Sequence, residues 1–184
     1  MERQRKKTME KKFIMTAFGK DRPGIVADVS RVIYENGCNL EDSTMTLLED
    51  EFTIILVFAG REEGALEEQL LRDCRRIERD KGITAFIRAL SDEKIEPKKP
   101  FSAHTLHVEG LDQAGIVYKI SRYLADNNVN IANLNSRMSH SPESGAAIYT
   151  MDIQIEIPEG ASPADLEKGL DLVRDDLNLD ISLA

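Results

Sequence analysis

Cysteine is scarce in this chain, with Cys38 and Cys74 the only two among 184 residues. Both fall within apolar patterns, so they read as core residues and supply no disulfide framework. No hydrophobic run approaches the length of a membrane span, and the opening residues MERQRKKTMEKK lack the apolar stretch of a secretory signal. A cytoplasmic protein, with no membrane partner, is the expectation from these absences.

An excess of basic charge is missing too. The formal charge is −9, and six Lys or Arg against two Glu in the first twelve residues leave −13 on the remainder. A body that acidic is repelled by the phosphate backbone that dominates nucleic-acid binding, so direct nucleic-acid contact is not expected. The basic segment 1–11 reads as a flexible tail rather than a nucleic-acid arm.

Nucleotide and catalytic motifs are also lacking. The stretch GKDRPGIVADVSRVIYENGCNL, residues 19–40, has two glycines around four residues. A phosphate-binding loop would follow Gly24 with Lys and Ser or Thr, but Ile25 and Val26 stand there. A dinucleotide fingerprint would need glycine where Asp21 stands, and that carboxylate repels a pyrophosphate. No Ser-His-Asp, Cys-His or Gly-x-Ser-x-Gly arrangement supports nucleophilic catalysis. His104 and His107 form H-x-x-H, but residues i and i+3 of a strand face opposite sides. His140 reads as a loop residue with no Cys or paired carboxylate nearby. No enzyme, metal or cofactor is therefore expected.

What the chain has is an internal duplication. Residues 21–40, DRPGIVADVSRVIYENGCNL, align at an offset of 91 with residues 112–131, DQAGIVYKISRYLADNNVNI. Asp21, Gly24, Ile25, Val26, Ser30, Arg31, Asn36 and Asn39 match Asp112, Gly115, Ile116, Val117, Ser121, Arg122, Asn127 and Asn130. Gly19 and Gly110 align as well.

Each copy carries the same order of elements. Phe13–Phe18 and Thr105–Val108 read as strands, and helical spacing follows from Ile25 and from Ile116. Gly37 closes the first helix, and Asn127–Asn128 close its counterpart. Asn39–Leu47 and Phe52–Phe58 form a hairpin, repeated as Asn130–Met138 and Ile148–Ile157. A second helix then buries Leu66, Leu70, Cys74 and Ile77 with Leu71 alongside, or Leu166, Leu170, Val173 and Leu177. Ser162-Pro163-Ala164-Asp165 predicts a capping box at the start of the latter helix. Thr84–Ala89 and Asp180–Leu183 are the last strands.

The fold class is thus α+β: two ferredoxin-like βαββαβ domains, each a four-stranded antiparallel sheet with two helices on one face. Their limits are residues 12–90 and 103–184. The polar, proline-containing segment 91–102 is the linker.

D-R-P-G-I-V after a strand, with N-L or N-I opening the second strand, resembles the ACT domain, the βαββαβ module that senses amino acids. Tandem copies without a catalytic domain resemble stand-alone transcriptional regulators of that family. The resemblance implies a ligand site between the first strand-to-helix loop of one copy and the second-strand start of a neighbour. In the first copy these positions are Gly19, Asp21, Arg22, Pro23, Gly24 and Ile25, with Asn39 on the strand. In the second they are Gly110, Asp112, Gln113, Ala114, Gly115 and Ile116, with Asn130. Some amino-acid-sensing members carry His where Gly19 and Gly110 stand, and Ala114 replaces the proline of the first loop.

The residue types fit a zwitterion. Helix-start N–H groups attract a carboxylate, and glycine lets backbone approach. Asp21 and Asp112 suit an ammonium group, while the Asn39 and Asn130 amides donate and accept. With no His and few basic side chains, the loops suit a small neutral, glycine-like amino acid over an acidic one. The alternative is turn chemistry alone, with Asp21 and Asp112 shaping Asx turns, Gly24 and Gly115 serving as N-caps, and Asn39 and Asn130 as turn residues.

The expected function is regulatory: a small amino-acid ligand, and a partner protein such as a transcriptional activator or a metabolic enzyme. A ligand-free interaction module is the competing expectation. Exposed sheet edges or faces would also serve homodimerisation.

Overall fold

A computed structural model of the chain describes residues 10–61, 64–91 and 100–184. The chain divides into two compact units, Met1–Lys94 and Ile95–Ala184. The tail expected over residues 1–11 lies almost wholly outside the described residues, as does most of the linker expected over 91–102.

The first unit runs β1 (Glu10–Lys20), α1 (Ile25–Glu35), β2 (Asn39–Leu48), β3 (Glu51–Arg61), α2 (Leu66–Lys81) and β4 (Thr84–Ala89). Its sheet order is β2-β3-β1-β4, and all three pairings are antiparallel. The second unit repeats this as β5 (Phe101–Leu111), α3 (Ile116–Asp126), β6 (Asn130–His140), β7 (Ala147–Pro158), α4 (Pro163–Leu177) and β8 (Leu179–Leu183). Its order is β6-β7-β5-β8, again antiparallel. The tandem ferredoxin-like fold read from the sequence is the observed one.

Period-2 burial explains why these segments are strands. Phe13, Met15 and Ala17 of β1 and Phe52, Ile54, Leu56 and Phe58 of β3 are buried, while their alternates point away from the helices. Leu70, Cys74 and Ile77 of α2 and Val29, Val32 and Ile33 of α1 close the same core. Ile120, Leu124, Leu166, Leu170 and Leu177 cover Leu106, Val108, Met151, Ile153, Ile155 and Ile157 in the second unit. Leu71 is an exception to the reading above: it is an exposed residue of α2, and Asp73 is buried in its helix instead.

Both first helices end in the same hydrogen-bonded motif. Cys38 N–H donates to Ile33 O (3.1 Å) and Gly37 N–H to Tyr34 O (3.0 Å). Val129 to Leu124 (2.9 Å) and Asn128 to Ala125 (3.0 Å) repeat the pattern, with Asn128 in the left-handed conformation that Gly37 takes in the first copy. The repeated Asn36 and Asn127 then have a local purpose. Each side-chain amide donates to a last-turn carbonyl, Val32 O at 2.8 Å and Tyr123 O at 2.9 Å.

Strands β1 and β5 extend well beyond the apolar runs that mark them in the sequence, because β3 and β7 pair along their whole lengths. His140 ends strand β6 rather than lying in the following loop. Ser162 Oγ accepts from Asp165 N–H at 3.3 Å, as the capping pattern predicts.

Candidate functional site

The two strand-to-helix loops occupy equivalent places, between the end of β1 and α1 and between the end of β5 and α3. Each is pinned from behind by the following hairpin. Asp21 N–H donates to Asp50 O (2.8 Å), and Asp112 N–H donates to Ala147 O (2.9 Å).

The loop glycines answer two different demands. Gly24 (φ 89°) and Gly115 (φ 101°) sit in the left-handed region as N-caps of α1 and α3, where a side chain would be strained. Space is not the constraint at Gly24, since a Cβ there would meet nothing within 4 Å. Gly19 and Gly110 are packed closely instead. A Cβ at Gly19 would lie 3.0 Å from Gly82 O, and one at Gly110 would lie 2.5 Å from Leu179 Cδ2. These two glycines therefore let the first strand approach the chain entering the last one.

Asp21 and Asp112 are exposed, and neither carboxylate has a hydrogen-bond or ion-pair partner among the described residues. An Asx turn is thus not what holds them. Both stand at the mouth of a helix start, where first-turn N–H groups lack intrahelical acceptors and the macrodipole is positive. A carboxylate and a positive helix start are adjacent in each loop.

Basic side chains near the first loop are already engaged. Arg22 donates to Asp28 Oδ2 at 2.7 Å, and Lys20 pairs with Asp50 at 3.1 Å. Asp28 is mostly buried, at 11% exposure, and also faces Arg31 and Lys81. The Arg22 hydrogen bond holds its carboxyl below the usual range against the opposing effect of burial, and Lys81, Arg22 and Arg31 add charge attraction. Pro23 is exposed within this loop, and Ile25 ends it as a buried core residue. In the second loop Gln113 Nε2 donates to Leu177 O at 2.5 Å, Ala114 is exposed, and Ile116 is buried.

Within either unit, the strand asparagine stands apart from the loop. Asn39 follows the C-terminal end of α1 while Gly24 precedes its start, a separation of about 16 Å along an 11-residue helix. Asn39 is exposed, whereas Asn130 donates to Glu156 Oε2 at 2.8 Å. One unit therefore does not assemble loop and asparagine around a single ligand.

Asn39 instead lines an open groove of about 570 Å³ along α1 and the start of β2, with Ala27, Ser30, Arg31, Ile33, Tyr34, Cys38 and Leu40. The sequence reading did not single out this groove. Its signal was the Ser-Arg pair repeated as Ser30-Arg31 and Ser121-Arg122 at a helix position that is not core.

No group of three or more metal-ligating side chains occurs among the described residues. His104 and His107 do lie on opposite faces of β5, with Ser102 Oγ 3.2 Å from His104 and Asp152 Oδ1 2.5 Å from His107. Burial raises both thiols, that of Cys74 to about 11 with help from the Asp73 charge, so neither is a ready nucleophile. No helix among the described residues is long and apolar enough to cross a membrane.

Residues 11–87 match the family model of the ACT domain. The glycine cleavage system transcriptional repressor of Escherichia coli is 26% identical over 166 residues, covering 90% of this chain and 85% of that protein. A UPF0237 protein of Methanopyrus kandleri is 39% identical over 61 residues, 31% of this chain and 68% of that one. Among solved structures, an unknown protein from Galdieria sulphuraria superposes with a TM-score of 0.74 at 24% identity, over 95% of this chain and 98% of the other. A candidate glycine cleavage system transcriptional repressor superposes with a TM-score of 0.67 at 20% identity, over 96% and 97%. At these identities the two structures speak for the fold alone.

Proposed function

The chain is a tandem ACT-domain protein related to the glycine cleavage system transcriptional repressors, and from that premise we propose that it senses a small neutral amino acid, glycine or one close to it, and reports through contact with another protein. On this reading it is a regulatory protein.

One observation carries the ligand half of this reading. Asp21 and Asp112 each present an unengaged carboxylate beside an open helix start. An ammonium group meets the first, and a carboxylate meets the N–H groups of the second. Arg22 and Lys20 are neutralised by Asp28 and Asp50, so no spare cation favours an extra ligand carboxylate. Loop and asparagine lie at opposite ends of α1, so the asparagine of the same unit does not complete the site. Gly19, Pro23, Gly24 and Ile25 shape the first loop, and Gly110, Ala114, Gly115 and Ile116 shape the second.

The acidic body supports the protein-contact half, since it disfavours a phosphate backbone. A DNA-binding activator or an enzyme of amino-acid metabolism is the partner class. The ligand shifts that association through its different affinities for the free and docked states.

A thermal-shift panel of the twenty amino acids tests the reading. Stabilisation by glycine, alanine or serine, with none by aspartate or glutamate, is the expected result. A flat panel would favour the ligand-free interaction module, and a preference for the acidic pair would overturn the charge argument.

A further inference from the structure

The two sheets differ most on the face turned away from their helices. In the first unit that face is apolar at its centre: Ile14, Thr16 and Phe18 on β1 lie beside Val57, Ile55 and Thr53 on β3. Phe86 on β4 pairs with Thr16 and is 64% exposed, while Phe18 and Ile55 are each 41% exposed. The Phe18 and Phe86 rings are 6.1 Å apart and make one continuous surface. The same positions of the second unit hold Thr105, His107 and Glu109 beside Gln154, Asp152 and Thr150, flanked by Asp180 and Ser182. The fold does not require an apolar face here, so the first unit's face has its own cause.

Charge says what covers it. One row across the sheet reads Arg88, Ile14, Val57, Asp42, from edge strand β4 to edge strand β2. Neither Arg88 nor Asp42 has an ion-pair partner among the described residues, although one Asp42 oxygen accepts Ser43 N–H. A row with an apolar middle and opposite charges at its ends is complementary to itself. Turning a second copy about a two-fold axis parallel to β1 and β3 brings β4 over the partner's β2 while each row stays in register. Arg88 then meets Asp42 of the other copy twice, Ile14 lies on Val57, and Thr16 lies on Ile55.

We propose that this face is an isologous interface through which two copies of the chain pack sheet on sheet. Four strands about 4.8 Å apart and three residue rows give roughly 400 Å² in projection. That is below the roughly 800 Å² per partner of a standard interface, so the dimer is weak and forms in the micromolar range. This inference does not depend on the ligand reading.

Sedimentation velocity of the full chain across the micromolar range tests it, with far-UV circular dichroism as a check on folding. The wild type shifts from monomer to dimer as concentration rises, and Phe86→Asp stays monomeric. Arg88→Asp and Asp42→Arg each raise the dissociation constant about tenfold or more, and the double variant restores it to within about threefold. A wild type that is monomeric throughout overturns the proposal, as does a dimer indifferent to Phe86→Asp. Single reversals that the double variant fails to rescue overturn the two-fold pairing of Arg88 with Asp42.

Discussion

The two halves of the chain share a backbone plan but lock their helices together by different chemistry. In the first unit the lock is polar. Asp73 of α2, only 4% exposed, accepts from Asn36 at 2.7 Å and from Gln69 at 3.2 and 3.3 Å, and pairs with Arg76 at 3.2 Å. In the second unit the lock is aromatic. Tyr123 of α3 donates its hydroxyl to Leu166 O at 2.9 Å and lies over Gly169 of α4, where a Cβ would come within 1.9 Å of that oxygen. Near the strand-to-helix loops the charges are reversed as well. Asp28 on α1 faces Lys81 at the end of α2, whereas Lys119 on α3 pairs with Asp176 near the end of α4. A fold can thus keep one geometry through quite different contacts.

The sharpest way to break this comparison is at Asp73. Asp73→Ala removes the acceptor that joins Asn36 to Gln69 and one of the two carboxylates beside Arg76, which keeps Glu35, and a loss of about 2–3 kcal/mol from the first unit is expected. Native-state hydrogen exchange at β3 amides would report it, with β7 amides unchanged. Next comes Gly169→Ala, which forces Tyr123 out of its seat and costs the second unit about 1–3 kcal/mol despite the better helix propensity of alanine. Here β7 amides should exchange faster while β3 amides hold.

A smaller effect separates the loops by pH. Asp28 has its folded pKa depressed by Arg22, so its contribution is present above the unfolded carboxylate value, about 3.9, and fades as pH falls through the lower folded value. Asp28→Asn should weaken the first unit at neutral pH and flatten its stability loss on the acid side. Unfolding followed between pH 2 and pH 6, bracketing the usual carboxylate range, would show a shallower slope than wild type. An unchanged slope would mean that the Arg22–Asp28 clasp contributes nothing.

Much of this architecture was legible in the sequence because the duplication displays the fold twice. Asn36 and Asn127 recur because both cap the same turn, and the alternation in Tyr149, Met151, Ile153, Ile155 and Ile157 is the buried face of β7. What was hidden depends on contacts distant in sequence. A carboxylate at Asp73 looks like a solvent residue until Asn36, 37 residues earlier, is brought beside it. Gly169 looks like a weak spot in a helix until Tyr123 is laid over it. At the candidate site, the loops and their glycines were readable because backbone conformation is locally encoded. The α1–β2 groove was not, since it arises from how the helix is set against the sheet.

Calorimetric titration of the full chain with glycine tests the central claim most directly, comparing wild type with Asp21→Ala and Asp112→Ala. Saturable binding that is lost or weakened at least tenfold in one or both variants is the predicted result, because each removes the unengaged carboxylate beside a helix start. Binding that is equally tight in both variants, or no heat with glycine or any other small neutral amino acid, would contradict it.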